Sequence, residues 1–227
     1  MDKFTISIPL NELKAAAIFA SEDEARYMLR CIRVEIADEH VRLISTDGRR
    51  LVLIESKACG EDGLSAAFSI PVEMIRAVEK PLDSGNVIIT VESGVITIID
   101  RTSVKKVAED NSRVGTFPDW RKIVPPKLTA TKHGRSTIQA RYLADIYKAE
   151  KLLCPGVTTA IHIQPASDDP NSVVVIVLED RLHHRCALYC LLMPLREDDG
   201  RVFDMTPPAW ALPAPKAQAM ETEAPHA

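Results

Sequence analysis

The chain has 227 residues, with 28 Lys and Arg against 32 Asp and Glu, so its formal net charge is −4. A content of 46% hydrophobic and 26% charged residues is typical of a globular protein and excludes disorder throughout. No apolar run approaches the roughly 20 residues of a membrane-spanning helix, and Phe4-Thr5-Ile6-Ser7 does not resemble the apolar part of a signal peptide. We therefore expect a cytoplasmic protein with no membrane partner. The acidic total argues against DNA binding by massed cations but leaves room for a local basic face.

The first part of the chain contains a strand, a helix and three further strands. Residues Phe4–Ile8 alternate between apolar and polar side chains, as a half-buried strand does. Residues Leu10–Ala20 are rich in alanine and place their apolar side chains on one helical face. Three β-rich runs follow, at Arg33–Ile36, Val41–Ser45 and Arg50–Glu55.

The same order of elements returns twice. Residues Ala66–Ile70 predict a strand, and Pro71 opens a short helix that ends before Pro81. The strands of this second copy are predicted at Val87–Val91, Val95–Ile99 and Ser103–Val107. The third copy has a strand at Ser136–Gln139, a helix at about Ala140–Leu153, and strands at Thr159–Gln164, Val173–Leu178 and Ala187–Met193. Three strand-helix-three-strand units predict an α+β fold in which antiparallel sheets carry the helices on one face.

Two stretches lie outside the repeats. Residues 111–135 contain several Gly and Pro residues with little periodicity, which indicates a connector between a two-repeat domain and a one-repeat domain. Residues 197–227 are polar and then rich in Pro and Ala, so we expect a disordered tail.

The sequence predicts no catalytic residue, metal site or cofactor. The five cysteines are an odd number scattered through a long chain, which favours reduced thiols over a disulfide framework. His184, Cys186 and Cys190 are predicted on one face of a strand. His184 and Cys186 are then about 7 Å apart and Cys190 is farther along, which is too far for one zinc ion. No Gly-rich phosphate loop and no G-x-S-x-G or H-E-x-x-H motif occurs. An enzyme is therefore the least favoured class.

Four segments make the chain resemble the bacterial DNA polymerase III beta subunit, the sliding clamp. Residues 22–29 (EDEARYML) are similar to the family's DETRYxL stretch, and residues 45–51 (STDGRRL) to its ATDGHRL. Residues 117–125 (FPDWRKIVP) are similar to its FPDYRRVIP, and residues 191–196 (LLMPLR) to the VMPMR that closes its chain. The segments occur in the family's order, and the strand-helix repeat around them is the family's building unit.

The resemblance implies a DNA-clamp fold and a shortened chain. Residues 1–125 resemble the clamp's middle domain, made of two half-repeats, and residues 126–196 resemble the second half of its last domain. The family's first domain and about half of its third have no match. A family ring contains twelve half-repeats. A chain with three of them would close a ring by assembling about four copies, by pairing with another clamp, or not at all. We expect a homo-oligomer.

The resemblance also implies a hydrophobic pocket that accepts short peptide motifs of polymerases and other clamp-binding proteins. The matching positions are Leu29, Thr46, Gly48, Arg49, Arg50, Leu51, Pro125, Met193, Pro194, Leu195 and Arg196. The apolar members are suited to form walls, and Met193 can repack around different ligands. Arg50 and Arg196 are predicted to anchor a ligand carbonyl or carboxylate. Taken singly, residues 46–48 are also typical of a plain β-turn and residues 191–195 of a buried strand end.

An inner wall of helices is implied to face duplex DNA without sequence specificity. The candidate contacts are Lys14, Arg76, Lys80, Arg141, Lys148 and Lys151. Lys14 comes from the first helix, and Arg76 and Lys80 from the second. The other three are predicted on the outer side of the third helix, whose Leu143, Ile146, Tyr147 and Leu153 are predicted to face the sheet. Nearby acidic residues dilute the charge, so an ordinary solvated helix face is the alternative.

The sequence thus favours a non-enzymatic, processivity-type accessory protein of DNA replication. The alternative is a peptide-binding adaptor that forms no ring and competes with a full-length clamp. A third hypothesis is that apolar residues of the tail, at 202–205 and 210–212, fold back into the pocket and regulate it.

Overall fold

The computed structural model describes residues 3–37, 40–56, 63–79, 81–82, 85–101, 104–108, 116–129, 137–169, 171–183 and 185–195. They belong to one compact unit of the chain. The predicted tail at 197–227 lies outside the described residues. Within the described residues, no helix combines the length and the apolar character needed to cross a membrane.

Three copies of the predicted unit supply the helices and strands. The first contains β1 (Phe4–Pro9), α1 (Leu10–Ala17), a 3₁₀ helix (Glu24–Leu29), β2 (Cys31–Ala37), β3 (His40–Thr46) and β4 (Arg50–Ser56). The second contains β5 (Ala66–Pro71), α2 (Val72–Arg76), β6 (Asn86–Glu92), β7 (Val95–Ile99) and β8 (Val104–Ala108). The third follows a 3₁₀ turn (Trp120–Lys122) and contains α3 (Ala140–Leu153), β9 (Thr159–Pro165), β10 (Val174–Asp180) and β11 (Arg185–Leu192).

The strands form two antiparallel sheets, with orders β1-β6-β7-β8 and β5-β2-β3-β4-β11-β10-β9. The first strand of each of the first two units crosses to the other unit, because β1 pairs with β6 and β5 pairs with β2. The third unit joins the larger sheet where β11 pairs with β4. The predicted α+β arrangement is confirmed.

The helices pack on the sheets through the apolar residues that the strand and helix periods bring to one side. In β1 the alternate residues Phe4, Ile6 and Ile8 are buried, as the period of two requires. In α1 the residues Leu10 and Leu13 are buried in the same core. Contact between α1 and α3 brings the third unit against the first on the helix side.

Two sequence predictions about the third unit are wrong. Thr137–Gln139 is described but forms no strand, and Ser136 lies outside the described residues. A strand requires a hydrogen-bonded neighbouring strand, and the backbone bonds of this segment go elsewhere: Leu195 N–H donates to Thr137 C=O (2.7 Å), and Tyr142 N–H of α3 donates to Gln139 C=O (3.0 Å). The helix α3 is also rotated from the prediction.

The buried stripe of α3 consists of Tyr142, Ile146 and Ala149. Leu143 and Tyr147, which were predicted to face the sheet, are exposed instead. Either stripe fits a helical period of 3.6, and the observed one is selected by contacts with α1 and with Arg50 of β4.

The predicted common face of Cys186 and Cys190 is also wrong. A β-bulge between β10 and β11 inserts one residue between them, so Cys190 points into the core and Cys186 is exposed. Burial raises the pKa of Cys190 to about 12 and that of Cys31 to about 11, which keeps both thiols protonated. Among the described residues, no group of three or more His, Cys, Asp or Glu is placed to hold a metal ion. His184 and Cys59 lie outside those residues.

Candidate functional site

The centre of the candidate site is the tight turn between β3 and β4. Thr46 Oγ1 donates to the carbonyl of Arg50 (2.7 Å) and accepts from Gly48 N–H (3.0 Å). Asp47 Oδ1 accepts from the backbone N–H of Arg49 (2.9 Å) and of Arg50 (3.0 Å). The turn that these residue types favour in isolation is therefore present, and the side chains of Thr46 and Asp47 stabilise it.

Glycine is required at position 48 for two reasons. Its φ is +85°, in the left-handed region that side chains rarely adopt. A Cβ added there would lie 3.0 Å from Nη1 of Arg26, which donates to the Asp47 carbonyl (3.2 Å). The turn and the 3₁₀ helix that carries Arg26 are thus packed directly together.

An apolar pocket of about 240 Å³ opens on one side of this turn. It is lined by Leu29, Thr46, Gly48, Arg49, Arg50, Leu51, Pro118, Asp119, Trp120, Ile123, Val173, Leu191, Leu192 and Met193. The end of β11 is fixed to the turn by a hydrogen bond from Met193 N–H to the Arg49 carbonyl (2.8 Å). Met193 and Ile123 are half-exposed, so they lie where a ligand would first meet the protein.

The structure brings together seven of the eleven predicted pocket residues. They are Leu29, Thr46, Gly48, Arg49, Arg50, Leu51 and Met193. Pro125, Pro194 and Leu195 are not among the residues that line it, and Arg196 lies outside the described residues.

The connector supplies a wall that the sequence analysis did not assign. Pro118, Trp120 and Ile123 line the pocket, although only Pro125 was selected from this segment. Trp120 Nε1 donates to Glu35 Oε1 (3.1 Å), and Arg121 donates to Glu35 Oε2 (2.6 Å). Burial opposes the charge on Glu35, but these hydrogen bonds outweigh burial and hold its pKa below the usual value. The sequence did contain a signal for this wall. Trp120 and Ile123 are large apolar residues in a segment that otherwise shows little apolar periodicity.

The guanidinium of Arg50, which was predicted to anchor a ligand, is buried and donates three hydrogen bonds within the protein. Nε donates to Asp47 Oδ2 (3.0 Å), Nη1 to Asp145 Oδ2 (2.7 Å) and Nη2 to the Ile18 carbonyl (3.2 Å). The same group lies over the rings of Phe19 and Tyr142, at 5.0 and 4.9 Å from their centroids. These contacts join β4, the end of α1 and α3.

Asp145 is the acidic partner that α3 brings to this junction. Burial opposes its charged form, but hydrogen bonds from Lys148 (2.8 Å) and Arg50 outweigh burial, so its pKa lies below the usual value. The carboxylate is therefore charged at neutral pH and holds the helix against the turn.

A wider, polar cleft of about 660 Å³ lies on the other side of the turn. Its walls include the cations Arg26, Arg49, Arg76, Arg141 and Lys148, together with the acids Glu22, Asp23, Asp47 and Asp145. Of the predicted DNA contacts, Arg76, Arg141 and Lys148 line this cleft. Lys14 and Lys151 do not, and Lys80 lies outside the described residues.

Several cations of the cleft are paired with acids. Arg76 lies 3.6 Å from Glu22, and Lys148 lies 2.8 Å from Asp145. Arg49 and Arg141 have no acidic partner within 4 Å among the described residues, and Arg141 lies over the ring of Tyr142. The cleft therefore presents a mixed surface on which a few cations are available to anions.

Comparison with known proteins points to one family. Residues 10–118 match the family model of the DNA polymerase III beta subunit, central domain. The beta sliding clamp of Chlamydia pneumoniae is 26% identical over 125 residues, which cover 52% of this chain and 33% of the relative. The chain thus spans about a third of the length of this curated relative.

Solved sliding clamps share the fold. The clamp of Bartonella birtlesii bound to griselimycin superimposes with a TM-score of 0.59 at 19% identity, over 86% of this chain and 66% of that one. The beta subunit of Caulobacter crescentus gives a TM-score of 0.58 at 18% identity, over 85% and 66% of the two chains. The matches to the central-domain model, to the curated relative and to the solved clamps all point to the DNA polymerase III beta subunit, or sliding clamp, family, and the chain is shorter than the full clamps that it matches.

Proposed function

We propose that this protein is a clamp-like accessory factor of DNA replication that acts in the cytoplasm. It presents the apolar pocket to short peptide motifs of a replicative polymerase or other clamp-binding proteins, and it contacts duplex DNA through its helix side without reading sequence. Sliding clamps are non-enzymatic processivity factors, so the proposal contains no catalytic step. We further propose that residues 1–125 act as a two-repeat domain and residues 126–196 as a single half-repeat beside it.

The observation that carries the proposal is the pocket at the β3–β4 turn. It joins Leu29, Leu51 and Met193, which are far apart in the sequence, around an opening lined mainly by apolar side chains. Apolar pockets with a few placed polar groups are typical of peptide and ligand sites. Because Arg50 is engaged inside the protein, Arg49 is the cation at this turn that is available to a ligand carbonyl or carboxylate.

Peptide binding tests the pocket. A fluorescent peptide carrying the clamp-binding segment of a replicative polymerase is titrated with the full chain and followed by anisotropy. We expect Ile123→Glu to weaken binding about tenfold or more, because a carboxylate in the apolar mouth loses hydration without gaining a partner. The matched control is Leu182→Glu, since Leu182 is 67% exposed in the β10–β11 turn and lines neither cavity. Absence of binding to the wild-type chain, or equal loss in both variants, contradicts the pocket assignment.

Griselimycin provides a second probe, because solved clamps from Bartonella birtlesii and Pseudomonas aeruginosa contain it. We expect it to bind the wild-type chain and to compete with the peptide. Binding of both ligands at once would place them in different sites.

Duplex binding tests the cleft. We expect weak association with a random duplex that falls steeply with salt, since phosphate contacts release counterions. Arg141→Glu should weaken it and reduce the slope of log K against log salt by about one. Arg181→Glu is the matched charge reversal, because Arg181 lies outside both cavities. Equal effects of the two variants would exclude the cleft.

The second candidate function is a peptide-binding adaptor that does not encircle DNA. The pairing of Arg76 with Glu22 and of Lys148 with Asp145 favours it, because paired cations bind phosphates less strongly. Retention on closed circular DNA that is lost on linearisation supports a clamp. Peptide binding with no retention on either DNA supports the adaptor.

A further inference from the structure

Among the residues that the structure describes, no strand pairs with the outer edge of the third unit in the larger sheet. Strand β9 is the last strand of that sheet and pairs with β10 alone among the described residues. Open edges with regular backbone donors and acceptors are templates for a further strand, and soluble proteins usually cover them. Strand β9 has neither an internal proline nor a lysine, and its one proline is the terminal Pro165.

Apolar side chains are exposed next to this edge. Ile161 and Ile163 are 45% and 51% exposed, although they stand opposite Leu178 and Ile176, which are fully buried on the helix side of β10. Residues in direct register share a face of the sheet, so both isoleucines face the helix layer without being covered by it.

The neighbouring flank of α3 is also apolar and uncovered. Leu143 and Tyr147 are 37% and 56% exposed. A hydrogen bond from Thr159 Oγ1 to Glu150 Oε1 (2.8 Å) fixes this flank on the β9 side of the helix, one turn from Tyr147. An apolar strip therefore runs from α3 to the open strand.

The first two units show what normally covers such a strip. Strand β6 is the counterpart of β9, and its residues Val87 and Ile89 are fully buried because β1 of the other unit pairs along its edge. Strand β2 is covered by β5 in the same way. Helices α1 and α2 meet above the two sheets. Each unit is thus completed by the first strand and the helix of an opposing unit.

The segment ahead of α3 has the features of the covering strand. Gln139, which precedes the helix, has φ −70° and ψ 125°. Pro9 has φ −58° and ψ 126°, and Pro71 has φ −56° and ψ 134°, at the same position before α1 and α2. The residue before each of these is isoleucine, at positions 8, 70 and 138. Thr137–Gln139 is therefore set up as a strand end.

We propose that two copies of this chain pair through their third units about a two-fold axis. Residues 137–139 of each copy add to the edge of β9 in the other, and the two α3 helices pack together as α1 and α2 do. A complete two-unit clamp domain then forms from two chains. This inference goes beyond the proposed function, and it depends on neither peptide nor DNA binding.

Charge favours a second copy over other occupants. Strand β9 contains no Asp, Glu, Lys or Arg, and the α3 flank carries Glu150 and Lys151, which have opposite signs. A two-fold axis therefore brings no surplus of like charge together. Duplex DNA would need an excess of cations that this surface lacks.

The extent of the surface suits a dimer that dissociates on dilution. It combines the seven residues of β9, the three described residues before α3 and one flank of a 14-residue helix. Together these are about 14 residues a side, fewer than the roughly 20–30 of a standard stable interface. Closed two-fold pairing also removes both open edges at once, which a head-to-tail contact does not.

The test is the mass of the full chain in solution, measured by sedimentation equilibrium over the micromolar range. We expect a concentration-dependent species of twice the chain mass or a multiple of it. Ile161→Lys and Ile163→Lys should each raise the dissociation constant about tenfold or more, since each places a charge in the centre of the interface. Val104→Lys is the control and should leave it unchanged, because Val104 is an exposed apolar residue on β8 of the smaller sheet. Both isoleucines are half-exposed in the single chain, and urea unfolding checks that the variants fold.

Hydrogen exchange gives a second measurement. We expect the amides of β9 and of residues 137–139 to gain protection as protein concentration rises. A wild-type chain that stays monomeric, or a dimer that tolerates both lysine variants, overturns the proposal. Protection of β9 at every concentration also overturns it, because a segment of the same chain would then occupy the edge. Peptide binding by Ile163→Lys separates the two proposals, since the pocket does not include β9.

Discussion

Replacing Asp145 by Asn tests whether the Arg50 junction holds α3 to the sheet. Asp145 accepts from Arg50 Nη1 (2.7 Å) and from Lys148 Nζ (2.8 Å). Both Arg50 and Asp145 are largely removed from solvent, with side-chain exposures of 8% and 17%. Asparagine keeps the shape and one acceptor oxygen but removes the charge, so the variant isolates the electrostatic part of the contact.

The expected loss follows from the two partners. A hydrogen bond that involves a charged group contributes about 1.5–3 kcal/mol when it is sheltered from water. Lys148 is mostly exposed, so its share is close to the small value of a surface ion pair, below about 1 kcal/mol. Asparagine retains a weaker acceptor for Arg50, which reduces the total to about 2 kcal/mol at pH 7. The midpoint of thermal unfolding should fall by about 4–8 °C for a unit of this size.

The pH dependence has a defined sign. The pKa of Asp145 in the folded protein lies below its usual value of 3.8, so the carboxylate stabilises the fold above that pH. The stabilisation is lost as the pH falls below 3.8 and through the folded value. Urea unfolding of wild type and Asp145→Asn should therefore differ fully at pH 7 and converge in the acid range.

An exposed ion pair supplies the control for this experiment. Glu92→Gln removes the contact of Glu92 with Lys3 (3.5 Å), in which both side chains are more than half exposed, and should cost less than about 0.5 kcal/mol. Protein concentration is held constant, since self-association raises apparent stability. If Asp145→Asn costs no more than Glu92→Gln at pH 7, the junction is not what holds α3.

Two further predictions concern the β3–β4 turn, which contains Gly48, and the β10–β11 turn, which follows Asp180. Gly48→Ala should destabilise the protein by about 1–2 kcal/mol in urea unfolding and weaken peptide binding, because φ is +85° and the new Cβ meets Arg26. Asp180→Asn should speed amide exchange in the β10–β11 turn at pH 7. Burial opposes the charge of Asp180, but His183 outweighs it and lowers its pKa to about 2, so this effect should persist through mild acid and fade only near pH 2. A Gly48→Ala protein with wild-type stability, or an Asp180→Asn effect that fades near pH 5, would contradict these assignments.

Most of the fold could be predicted from residue periodicity, because the strands of the first two units are sharply patterned. The alternation of Phe4, Ile6 and Ile8 fixes both the strand and its buried face. The wrong predictions concern segments whose structure depends on contacts with residues that are distant in the sequence. The face of α3 depends on Arg50 and on α1, which the helix sequence does not contain. The bulge that separates Cys186 from Cys190 depends on pairing with β10.

The site was predictable to the extent that short motifs carried it. The Thr46–Arg50 turn is encoded locally, because Asp47 and Gly48 supply the hydrogen bonds and the backbone angle. The role of Arg50 could not be predicted from the sequence, because the sequence does not show whether an arginine beside a pocket faces a ligand or a carboxylate inside the protein. Its partner Asp145 lies 95 residues away and became visible only once the helix was placed.

The pocket's size sets what kind of client it can hold. A volume of about 240 Å³ admits one or two large apolar side chains, and each contributes about 1.5–3 kcal/mol when buried. The cost of association offsets part of that gain, so a single short motif binds weakly and exchanges rapidly. The turn that forms the pocket is already fixed by its own hydrogen bonds, so it loses little further conformational entropy when a ligand binds. Pairing of two copies adds a second pocket, and this raises retention only for a client that carries two motifs spaced to reach both.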